Sequence, residues 1–194
     1  MGNLITSKAI TFFDIETTHL DPSQSAILSI TVITDWENGT KDTWTTKIKP
    51  MPIELEYASK EALKVCRYSD EEWEDAPSFR EVSDTIIEKL KYGPLVAHNI
   101  QFDLSHIEAA LKRYGYKKRN RTNVKDKEFS LGYPSIDTCA LAYLFLPTQR
   151  QNLDTLREHF DIDLDRSHDS EYDTEDCRTV FYNILDHISP KDSK

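Results

Sequence analysis

No apolar run in this 194-residue chain approaches the roughly 20 residues a membrane-spanning helix requires, and no charged-then-apolar leader opens it. No membrane partner is therefore expected. Cysteine is scarce. Cys66, Cys139 and Cys177 are odd in number, widely separated and form no CxxC pair. That pattern excludes a disulfide framework and a thiolate metal site, and predicts buried free thiols in a reducing, cytoplasmic setting. An excess of positive charge is missing as well: 24 Lys and Arg against 34 Asp and Glu leave a formal net charge of −10. A passive nucleic-acid-coating protein is normally basic, because phosphate neutralisation supplies its affinity. The acidity leaves room for an enzyme that meets a polyanion through divalent cations. Repeats, low-complexity tracts and linkers are also absent, so one domain over residues 1–194 is expected. The stretch Asp161-Ile162-Asp163-Leu164-Asp165 opens like a calcium-binding EF-hand loop. Its sixth position, however, is Arg166 where Gly is needed, and its twelfth is Tyr172 where Glu is needed.

What is present is a clear change of pattern along the chain. Residues 9–16, 26–34 and 42–48 read as β-prone strands. Asn38-Gly39 between the second and third predicts a hairpin, so the three form an antiparallel meander. Beyond them, residues 57–65 and 78–90 read as helices, and residues 94–97 as a short buried strand. Asn99 is expected to cap a helix running to about Tyr114. Lys117 to Lys127 is a basic, polar loop; it either guides the phosphates of a strand or is simply solvated. Ser135-Ile136 reads as a strand, followed by helices over residues 137–146, 153–160 and 170–188. A meander followed by alternating helices and short strands predicts an α/β fold, a mixed sheet flanked by helices.

Three elements place carboxylates in unusual positions. Asp14 and Glu16 are two apart on the first strand, so they leave the same face of the sheet. Acids side by side on so apolar a strand are costly unless a cation compensates them, or unless they reach water at the strand end. The helix after Asn99 carries an apolar stripe of Ile107, Ala110, Leu111 and Tyr114, and four residues before Ile107 stands Asp103. An Asp there either extends the core-facing row or complements the helix dipole. The last helix repeats the arrangement: its stripe is Cys177, Val180, Phe181, Ile184 and Ile188, with Asp173 four residues before Cys177. Glu171, Glu175 and Asp176 are expected to turn outward. Clustered carboxylates repel one another unless divalent cations sit among them, and oxygen-only ligands favour Mg²⁺ or Mn²⁺.

Taken in order, Phe13-Asp14-Ile15-Glu16-Thr17-Thr18, then Ala97-His98-Asn99-Ile100-Gln101-Phe102-Asp103, then His168 five residues before Asp173, resemble the three motifs of the DEDDh group of DnaQ-like exonucleases. That group includes the proofreading ε subunit of bacterial DNA polymerase III. Ile136-Asp137-Thr138 resembles its strand-to-helix step, and the likeness covers about residues 9–188. The resemblance implies a ribonuclease H-like fold. It also implies a 3′→5′ exonuclease that hydrolyses phosphodiester bonds at single-stranded 3′ ends through two metal ions and releases 5′-mononucleotides. It assigns Asp14, Glu16, Asp103 and Asp173 as metal ligands and His168 as the general base, a role its ordinary pKa near 6.5 suits. Thr17 and Thr18 would seat the terminal nucleotide and Leu20 would wedge between the last bases, while Asn99 and Phe102 would shape the site. His19 stands where the family usually has Gly, so it would be strained if the backbone there needed positive φ, or could stack on a base. DNA is the expected substrate, with RNA trimming as the alternative. A polymerase subunit is a possible partner, and a non-catalytic polymerase-binding module is the remaining reading.

Overall fold

The computed structural model describes residues 7–118, 128–164 and 169–189. Strand β1 (Ala9–Thr17) lies at the centre, paired antiparallel to β2 (Ile27–Trp36), which pairs antiparallel to β3 (Lys41–Lys47). The meander is as expected. At the turn between β2 and β3 only Gly39, at φ +83°, enters the left-handed region; Asn38 instead accepts from the Thr40 N–H through Oδ1 at 3.0 Å. Two short helices follow: α1 (Pro52–Leu55), which the sequence did not suggest, and α2 (Lys60–Val65), which starts three residues later than the helix expected over residues 57–65. The late start has a cause: Ser59 donates its N–H to the Thr18 carbonyl and caps α2 through its hydroxyl, so the helix begins only after it.

Helix α3 (Phe79–Lys89) begins with a capping box, Ser78 against Glu81. Strand β4 (Leu95–Ala97) joins β1 in parallel and leads into α4 (Ile100–Arg113). A two-residue parallel pair, β5 (Lys117–Lys118) with β6 (Glu128–Phe129), is too short to read from sequence. Strand β7 (Ser135–Asp137) pairs in parallel with β4, and α5 (Thr138–Phe145), α6 (Leu153–His159) and α7 (Ser170–Ile188) complete the chain. The sheet order is β3-β2-β1-β4-β7, mixed as predicted.

Alternation along β1 divides the core. Phe13 and Ile15 face α3 and α4, where they pack with Ile30, Val32, Ile86, Ile107 and Leu111. Ile10 and Phe12 face the opposite side and meet Cys177 and Phe181 of α7; the rings of Phe12 and Phe181 lie 5.4 Å apart, edge to face. Because both faces are covered, β1 reads as a nearly continuous apolar run, interrupted by Thr11 and by the acids near its end. Asp14 and Glu16 share the parity of Phe12, so they point to the α7 side. That parity, set by the two-residue repeat of the strand, is what positions the site.

Candidate functional site

The end of β1 brings together carboxylates from two elements. Asp14, Glu16 and Asp173 each offer an oxygen within 4.8 Å of the others. The ladder between β1 and β2 is irregular at Glu16/Thr17, a bulge of the kind that re-aims side chains at the end of a strand. Asp173 is delivered by the first turn of α7, whose N-cap is Asp169, accepting from the Glu171 N–H at 3.0 Å. Its placement differs in detail from the expected phase. The buried row of α7 runs through Ser170, Thr174, Cys177, Val180, Phe181 and Ile184, while Ile188 is exposed. Asp173 lies half-buried at the rim of that row, since positions three and four before Cys177 share one face and Thr174 takes the inner place.

Asp103 is not one of the three, yet it belongs to their surroundings. It is 2% exposed on the buried face of α4, and its Oδ1 accepts from the Ile15 N–H at 3.3 Å, beside Asp14 on the strand. The dipole-only alternative is thus too weak a description: this Asp faces inward and bonds the central strand. Burial pushes the Asp14 carboxyl well above the ordinary carboxylate range, reinforced by the charges of Asp103, Glu16 and Asp173 and opposed by Arg157. Asp103 is also raised, again mainly by burial, against the pull of the backbone N–H groups of Asp103 and Ile15. Such mutual repulsion in a half-buried cluster of oxygens fits a divalent cation, the one partner that would relieve it without adding a hydrogen-bond donor.

An exonuclease-family model matches residues 11–181. The chain belongs to that exonuclease family. Among relatives, 178 residues are 29% identical to DNA polymerase III PolC-type of Caldanaerobacter subterraneus, covering 91% of this chain but only 11% of that protein. The DNA polymerase III subunit epsilon of Treponema pallidum is 25% identical over 185 residues, covering 92% of this chain and 77% of the relative. The nuclease domain of 3′hExo, a DEDDh family member bound to rAMP, superposes with a TM-score of 0.72 at 15% identity and 93% coverage of both chains. That last likeness is one of fold. The five-stranded mixed sheet and its flanking helices have the fold of that nuclease domain.

The remaining predicted residues of the chain fall into distinct settings. His168 lies outside the described residues, as does the basic loop beyond Lys118. Thr17 is buried, its hydroxyl donating to the His19 carbonyl at 3.3 Å. Thr18 is fully buried, its hydroxyl accepting from the Ala26 N–H at 2.8 Å, so it braces the loop from inside. His19 is not in the left-handed region and carries no such strain; its Nδ1 accepts from the Asp21 N–H at 2.9 Å. Leu20 is 81% exposed. Phe102 packs on the His106 ring at 4.2 Å. Asn99 occupies the cap position of α4 but in the left-handed region at φ 61° and without a side-chain cap. Its N–H donates instead to Asp137 Oδ1 at 2.9 Å, which ties the start of α4 to β7.

Several site neighbours were not anticipated from the sequence. Cys66 donates its thiol to Glu16 Oε2 at 3.1 Å, and burial and the Glu16 charge push that thiol upward. It and Cys139 are half-buried where full burial was expected; Cys177 alone is buried. Asp176, expected to turn outward, turns inward to Arg157 on α6. The spacing of Asp173 and Asp176, one helical turn apart, was the available clue.

Proposed function

We propose that this exonuclease removes nucleotides from the single-stranded 3′ end of DNA by hydrolysis, releasing 5′-mononucleotides. Convergence of the Asp14, Glu16 and Asp173 oxygens within 4.8 Å is the observation that carries the reading. In it, these three hold one divalent cation, Mg²⁺ or Mn²⁺, and Asp14 with Asp103 supports a second. Bound divalent cations supply charge neutralisation at the phosphodiester and acidify a water molecule. The chain's own residues do the rest. Asp103, fixed to Ile15, keeps its carboxylate at the strand end. His168, five residues before Asp173, takes the proton of the attacking water. Leu20, projecting from the loop after β1, contacts the terminal bases, and Thr17, His19, Asn99 and Phe102 border the nucleotide, with Thr18 bracing that border from within.

The names of the relatives, DNA polymerase III proteins, support DNA as substrate and a polymerase as a partner of one exonuclease domain spanning residues 1–194. RNA trimming is the second reading, favoured by the rAMP held by 3′hExo. Single strands of DNA and RNA labelled at the 5′ end, incubated with Mg²⁺, test both. The wild type should shorten DNA stepwise from its 3′ end and faster than RNA, and Asp14→Ala should leave both intact. Equal behaviour of wild type and Asp14→Ala would overturn the catalytic reading.

A further inference from the structure

Arg157 is the largest fully buried side chain described, 1% exposed, on a helix of only seven residues. Each of its three nitrogens meets a different carboxylate. Nη2 donates to Asp173 Oδ1 at 2.5 Å, Nε to Asp176 Oδ2 at 2.8 Å and Nη1 to Asp154 Oδ1 at 2.8 Å. A buried guanidinium is expensive unless its partners are complete, and here a planar fork is matched on every side. Two of the three partners lie on α7, one of them in the acid cluster, so Arg157 joins α6 to the helix that delivers Asp173. Its field also reaches Asp14 across the cluster.

We propose that Arg157 is a positioning residue of this exonuclease, holding the Asp173 carboxylate toward Asp14 and Glu16 and thereby setting the affinity of the site for divalent cations. The proposal rests on the exonuclease reading above. Two consequences of the contact compete. As an orienting partner, Arg157 fixes one conformation of a side chain that, at the half-exposed start of a helix, would otherwise turn toward the first-turn N–H groups. As a cation, it competes with the metal for the same carboxylate. Orientation prevails, because the guanidinium charge is shared among three carboxylates and Asp154 and Asp176 absorb much of it. A carboxylate also has about four lone-pair sites, so accepting from Arg157 through Oδ1 is compatible with ligating a cation.

Calorimetric titration with Mn²⁺ alone tests this on the wild type and Arg157→Lys, with melting curves to establish folding. Lys keeps the charge but not the fork. Arg157→Lys should weaken Mn²⁺ binding about tenfold, the usual effect of losing an orienting partner. At limiting Mg²⁺ its kcat on a DNA strand should fall with KM for the strand unchanged, and excess Mg²⁺ should restore the rate. A structural role alone would lower the melting temperature and leave the binding constant in place. Should the Lys variant not fold, Asp154→Asn, at a half-exposed partner, decides: weaker Mn²⁺ binding upholds the proposal and unchanged binding overturns it. Affinity within about twofold of wild type in a folded Arg157→Lys, or tighter binding, overturns it likewise. A wild type that binds no Mn²⁺ would remove the exonuclease reading itself, a distinct outcome.

Discussion

Replacing Asp14 by Asn should make the metal-free protein more stable while removing most of what metal adds. Asp14 is raised by burial and then by three neighbouring carboxylates, with Arg157 the opposing charge. A carboxyl whose folded pKa lies above its unfolded value binds more protons in the native state. Its contribution to stability is present at low pH and is lost as pH rises through the folded pKa. Asp103 has the same sign. The metal-free wild type should therefore, on account of these two groups, melt higher at about pH 5 than at about pH 8. Asp14→Asn removes the most crowded charge, so its melting temperature at about pH 8 should exceed that of the wild type and depend less on pH. Mn²⁺ at about 100 times its dissociation constant should add about 2.7 kcal/mol to the wild type. For a chain of this size that corresponds to roughly 5–11 °C. Asn keeps one oxygen but no charge, and a tenfold loss of affinity would cut the gain at that Mn²⁺ concentration to about 1.4 kcal/mol. Thermal melts by circular dichroism, with and without Mn²⁺ and across pH, read all of this. An Asp14→Asn variant that melts lower than wild type without metal, and gains as much from Mn²⁺, would refute the reasoning.

Gly93→Ala should destabilise the fold by about 3 kcal/mol, combining the cost of a left-handed alanine with a backbone collision. Gly93 sits at φ +55° and an added Cβ would meet the Ala9 carbonyl oxygen at 2.1 Å. Urea unfolding should show a lower midpoint at unchanged slope; a loss under about 1 kcal/mol would contradict the close approach. All three thiols are raised, chiefly by burial, so each should resist alkylation at about pH 8 in the folded protein and react after denaturation. Mass spectrometry separates the cases, and rapid labelling of Cys66 in the folded state would show that its bond to Glu16 does not persist.

The local elements were largely legible because their signals are local. Strand parity put Asp14 and Glu16 on one face without reference to any other part of the chain, and Asn38-Gly39 announced the hairpin. The helix expected over residues 78–90 is α3, within a residue at either end. The start of α2 at Lys60 instead of Tyr57 was not legible, since the bond from Ser59 to the Thr18 carbonyl links residues 41 apart. Nor was Arg157, which in sequence is one more charge on a short helix and in space is the buried joint between α6 and α7.

The acid cluster itself divides the same way. The sequence alone determined which residue types stand at the strand end and at two helix starts, because the repeats of strand and helix impose sidedness on any chain. Tertiary structure decided which of two neighbouring positions on α7 goes inward: Thr174 is buried and Asp173 stays at the rim, held there by Arg157. Helical phase cannot make that choice, since residues three and four apart share a face, and only the packing of α6 and the sheet against α7 breaks the tie.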